Sequence, residues 1–452
     1  MNQSNVQVYL MTSIIPPSFF LIFSNLSISS LFGIGLFSFF CIKFFFDLGT
    51  KIEIRDLIII IALLQWIIGP ILAYEFNPDD QFYYMAVDEP TYMAFVVPAT
   101  SLFITGLYLP IFKWENNEQN LLLRVAELLK KQPNIDIIFI SIGTISQLTI
   151  DFFPSAIRFA IALISGARFI GLYLLIMNDR KYKWWIFGIV ILSLFVSSLE
   201  YGMFHDLLLW LGFLFVIIAF IRKFSLARKI TLSLAFFFSI FVIQSVKTEF
   251  RALLTKTSSS NIERTKAFTG VVQNKLGNIY AVIAKENLDA MINRINQGWI
   301  IARIMSWTPR YEPFAEGETI IKGIQASLLP RFLAPDKAKA GGREYFERFT
   351  GKFISKNTSM GLSPLGEAYA NFGIVEGAIF MLLLGLFYNF ILKKIFSYAA
   401  TYPTLILFLP LIFLQVVKAE VDFAVVINYL IKAIIAVALL FWFSRNFLKL
   451  RL

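Results

Sequence analysis

An all-α, polytopic helical membrane protein is the fold that the sequence predicts, and three observations predict it. The chain is 57% hydrophobic, with 49 phenylalanines and only 16% charged residues, and its mean hydropathy is +0.69. A water-soluble fold has too little interior to hide that much apolar side chain. The apolar residues also fall in runs of the length a helix needs to cross a hydrocarbon core, separated by short polar connections. Finally, the alternating pattern of a membrane β-barrel is absent, so backbone groups in lipid must be satisfied within helices.

About twelve spans can be read in order: Tyr9–Ser24, Ser30–Phe46, Leu57–Tyr74, Tyr92–Phe112, Ile135–Thr149, Ala156–Met177, Trp184–Ser198, Leu207–Ile221, Ile230–Ser245, Gly373–Leu392, Pro403–Val417 and Ala424–Phe443. The first is interrupted by Pro16 and Pro17. It has no basic residue ahead of it and no small-residue cleavage site, so it reads as a retained helix. The expected organisation is an N-terminal bundle over 1–246, a large external loop over 247–366 and a C-terminal bundle over 367–452.

Lysine and arginine in short connections are retained on the cytoplasmic side. Eighteen of them fall at Lys51, Arg55, Lys113 to Lys131, Arg180 to Lys183, Arg222 to Lys229, Lys393, Lys394 and Arg445 to Arg451. These connections alternate with basic-poor ones, so both termini are expected in the cytoplasm and the 247–366 loop outside, in a bacterial inner membrane. The loop region Lys247–Glu367 holds eighteen Lys/Arg against eleven Asp/Glu. That surplus of seven, on a side where topology asks for no positive charge, calls for an anionic ligand. The net charge of +11 is accounted for by topology, membrane lipid and this ligand, without nucleic acid.

The remaining composition excludes several chemistries. Cys41 is the single cysteine and His205 the single histidine, so neither a disulfide framework nor the usual Cys or His metal sites are expected. No phosphate-binding or dinucleotide-binding glycine pattern is present. No metal and no cofactor are expected.

Within the loop, Ser259–Ile283 and Glu286–Trp307 carry apolar residues at helical spacing, and Glu318–Leu328 forms a further apolar helix. Arg331–Lys356 is expected to be non-core polar chain. At Ser363-Pro364 a helix restarts, with Ser as cap and Pro in its first turn, and is expected to run on into the tenth span.

The run Ser363-Pro364-Leu365-Gly366-Glu367-Ala368-Tyr369-Ala370-Asn371-Phe372-Gly373 resembles the Glu-x-Tyr-x-Asn-Phe-Gly start of the helix that follows the large external loop in O-antigen and oligosaccharide repeat-unit polymerases (Wzy type). Leu328-Leu329-Pro330-Arg331 with Pro335-Asp336-Lys337 is similar to the passage preceding that start in the same family. The resemblance implies a membrane glycosyltransferase that joins repeat units carried on undecaprenyl pyrophosphate, with lipid-linked oligosaccharides, membrane lipid and a chain-length regulator protein as partners. A pyrophosphate leaving group needs fixed cations, and an attacking hydroxyl needs a proton acceptor.

Arg331 and Lys337 are the favoured cations, with Arg251, Arg343 and Arg348 as further candidates; the alternative for each is a solvated loop charge. Glu367 is the candidate for the acceptor hydroxyl, with Asn371 one turn later; the alternative is a carboxylate that complements a helix dipole. Gly366, Ala370, Gly373 and Gly377 read as close helix packing. Arg158 and Arg168 are charges within the sixth span, Arg158 near the surface with snorkelling to headgroups as its alternative, Arg168 deeper and suited to a carrier phosphate or an internal acid. His205 stands in an external turn beside Glu200 and Asp206 as a substrate-binding candidate or an ordinary interfacial residue. In the related O-antigen ligases the large loop carries a histidine, and this loop has none. A flippase is the other competing reading, and the sequence shows no paired half-repeats or broken helices to support it.

Overall fold

The computed structural model of the chain describes residues 3–111, 117–201, 204–254, 261–277, 284–328, 342–355 and 358–452. Among the described residues the secondary structure is helical, without strands. Ten helices among the described residues are long and apolar enough to cross a membrane: Ile28–Asp47, Ile54–Phe76, Glu89–Tyr108, Ile135–Phe152, Ile157–Met177, Lys183–Glu200, His205–Arg222, Leu226–Lys247, Val375–Ala399 and Phe423–Asn446. The chain is a polytopic helical membrane protein.

The two other expected spans are shorter apolar segments, Val6–Ile22 and Pro403–Ile412. The first is divided between α1 (Gln3–Ser13) and α2 (Ile15–Phe23), with proline in the first turn of α2. The second is a 3₁₀ turn, Pro403–Phe408, followed by a single short helix, and both pieces are buried. Proline at the start of each piece supplies no backbone donor, so neither extends a long helix. Span Ile157–Met177 is likewise interrupted at Gly166, between helices ending at Ser165 and starting at Ala167. Broken helices therefore occur in both halves, which corrects the expectation of unbroken spans.

By contact the chain divides into two compact units assembled from separated stretches. The first comprises Met1–Asp47, Glu53–Asn117 and Ile292–Ala438; the second comprises Leu48–Ile52, Glu118–Met291 and Leu439–Leu452. The large loop is thus itself divided between them.

In the first unit, α6 (Glu89–Tyr108) packs along α20 (Val375–Ala399) at backbone distance. A Cβ placed on Gly106 would lie 2.3 Å from the Leu382 carbonyl, and one on Gly385 would lie 2.3 Å from the Phe103 carbonyl. Small residues at a membrane helix crossing permit this approach, where dispersion and hydrogen bonds hold helices together. Asn389 adds hydrogen bonds across the crossing, its Nδ2 donating to Gly106 O (3.2 Å) and Leu109 O (3.0 Å).

The span Ile54–Phe76 contains a π-helical turn at Leu64–Ile68. Two carbonyls there serve other elements: Gln65 O accepts from the Gln297 N–H (3.1 Å) and Trp66 O from the Tyr92 hydroxyl (2.8 Å). Gly69 allows the backbone at Ile295 to approach, since a Cβ there would stand 2.4 Å from the Ile295 carbonyl.

In the second unit, Asp136 at the start of α8 (Ile135–Thr149) is fully buried. Arg180 Nε donates to it at 2.7 Å and Asn178 Nδ2 at 3.1 Å. Removing one partner of a buried ion pair strands the other charge. Arg180→Ala is therefore expected to lower stability by about 3 kcal/mol or more, read as a lower thermal midpoint in detergent; an unchanged midpoint would show that Asp136 is satisfied without it.

Candidate functional site

The helices of the 247–366 loop follow the predicted periodicity, with one of them split. The Ser259–Ile283 segment contains a helix over Asn261–Gly277. The Glu286–Trp307 segment is two helices, Lys285–Ile295 and α16 (Gly298–Trp307), because Gln297 turns its N–H to Gln65 O and Asn296 Oδ1 accepts from the Trp299 N–H. Glu318–Leu328 is a helix as expected, α17.

The supposed non-core passage holds α18 (Arg343–Thr350), whose Phe346, Phe349 and Thr350 are buried. These few apolar side chains, spaced three and four apart among charges, form a narrow buried stripe that overall polarity concealed.

At the family-like run, α19 (Ser363–Phe372) begins as the residues dictate: Ser363 Oγ accepts from the Gly366 N–H at 3.1 Å and Pro364 occupies the first turn. The helix does not continue into the tenth span. Gly373 adopts φ +73°, a conformation that glycine reaches without strain, and α20 starts afresh at Val375. Gly366 on α19 packs closely, a Cβ there meeting Ile304 at 3.0 Å, but the break puts Gly377 on α20, where a Cβ would stand 2.9 Å from the Ala368 carbonyl, so the small residues do not line one helix as expected.

Glu367, in the middle of α19, has no exposed surface. Its Oε2 accepts from the Phe423 N–H at 2.9 Å, at the start of α22 (Phe423–Asn446), while its Oε1 is buried without a hydrogen-bond partner. Asp422 is buried beside it, and its Oδ1 accepts from the Leu362 N–H at 2.6 Å. Burial, and then the Asp422 carboxylate, push the Glu367 carboxyl well above the usual carboxylate range, against the opposing pull of the Phe423 N–H. Burial raises Asp422 to about 6 against the Leu362 N–H. Both carboxyls are therefore raised, and the pair shares a proton. Two glycines bring backbone against Asp422: a Cβ on Gly342 would stand 2.4 Å from its Oδ2, and one on Gly361 3.1 Å from its Oδ1. Tyr345, half-buried on α18, lies within the field of Glu367; burial and then that carboxylate push its hydroxyl up to about 12, keeping it a donor.

The other nominated residues are placed as follows. Asn371 is buried and pins the loop before α17: its Nδ2 donates to Thr319 Oγ1 (2.7 Å) and Glu367 O (2.8 Å), and its Oδ1 accepts from the Gly317 N–H (3.1 Å). Arg343 is paired with Glu347 at 2.8 Å. Arg348 bridges Glu312 at 2.5 Å and Glu318 at 2.9 Å. Arg331 and Lys337 lie outside the described residues, as does the Arg251 side chain on the helix Leu226–Leu254.

Arg158, Arg168, His205 and Arg251 belong to the second unit. Arg158 is exposed and folds onto the preceding turn, donating to Phe153 O (2.8 Å) and Asp151 O (3.2 Å). Arg168 is buried, its guanidinium 5.0 Å from the Phe169 ring and its Nε without a hydrogen-bond partner. His205 is half-buried at the start of the helix His205–Arg222.

A second acidic cluster lies in the first unit. Oxygens of Asp47, Glu53 and Asp56 approach within 4.8 Å of one another, as metal ligands would. The ammonium of Lys43 already stands among them, bonded to Asp56 and 3.3 and 3.8 Å from Asp47 and Glu53, so a cation is built into the cluster.

Asp422 is the residue that sequence reasoning missed. Its signal was the basic-poor turn Lys418–Asp422, read for topology alone. Comparison with protein-family models, with curated proteins and with solved structures finds no match to this chain.

Proposed function

We propose that the chain is a polysaccharide polymerase that joins undecaprenyl-pyrophosphate-linked repeat units on the outer face of a bacterial cytoplasmic membrane, with both termini in the cytoplasm and a chain-length regulator as partner. The observation that carries this reading is the Glu367–Asp422 carboxyl pair, set in the run that resembles repeat-unit polymerases, with one carboxyl oxygen unpartnered. In the reaction, the acceptor hydroxyl gives its proton to Asp422 as its oxygen bonds the donor's anomeric carbon. The bond from that carbon to the carrier phosphate breaks with its electron pair, and undecaprenyl pyrophosphate leaves. Glu367, protonated, gives its proton through its free side to the departing phosphate oxygen, and the pair recovers it as Asp422 passes on the acceptor's proton. Both carboxyls are covered, so the reading requires the Gly342 and Gly361 backbones to move aside for the acceptor. Arg331 and Lys337 are the proposed cations for the leaving group.

Gene deletion with complementation tests this, with surface polymer and lipid-linked intermediates resolved by length. Accumulation of single repeat units with loss of long polymer is the expected result. Intermediates trapped inside the cell would replace it with the flippase reading, which the broken helices favour; an unchanged profile would leave a noncatalytic scaffold.

A further inference from the structure

The cationic surplus of the loop is partly cancelled, since Arg343 and Arg348 are held by glutamates. Among the described residues of the loop in the first unit, three other cations form no ion pair, and all three lie against aromatic rings. The Lys352 ammonium is 4.9 Å from the Phe82 ring, 4.7 Å from Tyr84 and 5.5 Å from Trp299, and donates to Phe82 O at 3.0 Å. Arg303 donates to Thr350 O at 2.8 Å and to the Tyr84 hydroxyl at 3.4 Å, with its guanidinium 5.6 Å from the Trp307 ring. Arg310, exposed, stands 5.2 Å from the Tyr311 ring.

The rings themselves form a platform. Trp307 and Tyr311 overlap at 4.4 Å with their planes 31° apart, and Tyr311 is 58% exposed. The indole also rests on Gly351, where a Cβ would come within 2.6 Å of it. The nearby acid, Asp80, is already engaged by the Phe82 and Tyr83 N–H groups (2.8 and 2.6 Å) and by Asn293 (3.0 Å). Burial, and then Arg303, lower the Lys352 ammonium, and Asp80 offsets this only in part without forming an ion pair, so like charges face each other here.

Cations without ion pairs beside an exposed aromatic face match a ligand that carries negative charge on a ring with an apolar side. We propose that Arg303, Arg310 and Lys352, with the Trp307–Tyr311 platform, bind an acidic saccharide, the ring lying on the aromatic face and its carboxylate or phosphate substituent pairing with the cations. The inference deepens the polymerase reading, which supplies the reason for a glycan, and names an acidic repeat unit as its substrate class.

Titration of the full-length protein in nanodiscs tests it without turnover. The probes are tetragalacturonate, glucose 6-phosphate, neutral cellotetraose and inorganic pyrophosphate. Saturable, salt-sensitive binding of a sugar anion at least tenfold tighter than cellotetraose and pyrophosphate is expected, and which sugar anion binds identifies the substituent. Arg310→Gln, at an exposed position beside Tyr311, and Lys352→Gln are each expected to weaken that binding about tenfold, the worth of one charge-assisted hydrogen bond. Equal binding of cellotetraose or of pyrophosphate, no saturable binding, or wild-type affinity in Arg310→Gln would each overturn the proposal. Binding together with an unchanged polymer profile in the deletion strain would instead sink the polymerase reading while leaving this site intact.

Discussion

Glu367→Gln is expected to leave the protein folded and abundant while lowering polymer formation by about a hundredfold or more, the usual weight of a positioned acid or base. The amide matches the carboxyl in shape, and its oxygen can still accept from the Phe423 N–H that Glu367 Oε2 now holds. What disappears is the exchangeable proton opposite Asp422. Asp422→Asn is expected to give the same loss, because it removes the charge that receives the acceptor's proton. Polymer of normal length and amount from Glu367→Gln would end the catalytic role and leave the carboxyl as a pin for the start of α22.

The same pair sets a pH dependence whose sign is the reverse of an ordinary salt-bridged acid. Its carboxyls bind protons more tightly folded than unfolded, so the folded state holds more protons from about pH 4 upward. Stability is then highest at low pH and falls as pH rises through that window. For Asp422, raised from 3.8 to about 6, the loss is on the order of 3 kcal/mol, and Glu367 extends it to higher pH. The thermal midpoint should decline between pH 5 and 8, less steeply in Glu367→Gln; an upward slope in both proteins would contradict the assigned burial penalty.

Gly385→Leu is expected to have the largest effect on folding. The α6–α20 crossing leaves no room for a side chain, since even a Cβ on Gly385 would be 2.3 Å from the Phe103 carbonyl and 3.1 Å from Gly106 Cα. Backbone cannot step aside as a flexible side chain does, so the helices must separate and the Asn389 bonds to Gly106 and Leu109 must break. Overpacking of this kind costs about 1–3 kcal/mol or more, and the lost hydrogen bonds add to it. Size-exclusion profiles of detergent extracts should show the monodisperse peak reduced about fivefold or more. A wild-type profile and midpoint would mean that the crossing relaxes without loss.

The spans were legible because membrane helices announce themselves by length and composition, and α17 and the start of α19 by periodicity and capping. Where local chemistry was mixed, the reading failed. The buried stripe of Phe346 and Phe349 was masked by the charges around it. The break at Gly373 depends on a positive φ that a glycine permits and does not require. Glu367 could be singled out from its neighbours in sequence, whereas Asp422 becomes its partner only when the turn before α22 folds against α19. Likewise, nothing local told Arg348, neutralised by Glu312 and Glu318, from Arg310, which no carboxylate among the described residues holds.

The π-helical turn at Leu64–Ile68 has a consequence for how this span tolerates change in length. A π turn carries one residue more than an α turn, so the helix beyond it is rotated by about 100° relative to an unbroken α-helix. Gly69, which meets Ile295, keeps that contact only in the rotated phase. Deleting one residue within 64–68 would regularise the helix and leave Gly69–Phe76 on the same azimuth, because the residue removed cancels the rotation that the π turn absorbs. What the regular helix would put at risk is the pair of carbonyls, Gln65 O and Trp66 O, that the π turn presents to Gln297 and Tyr92.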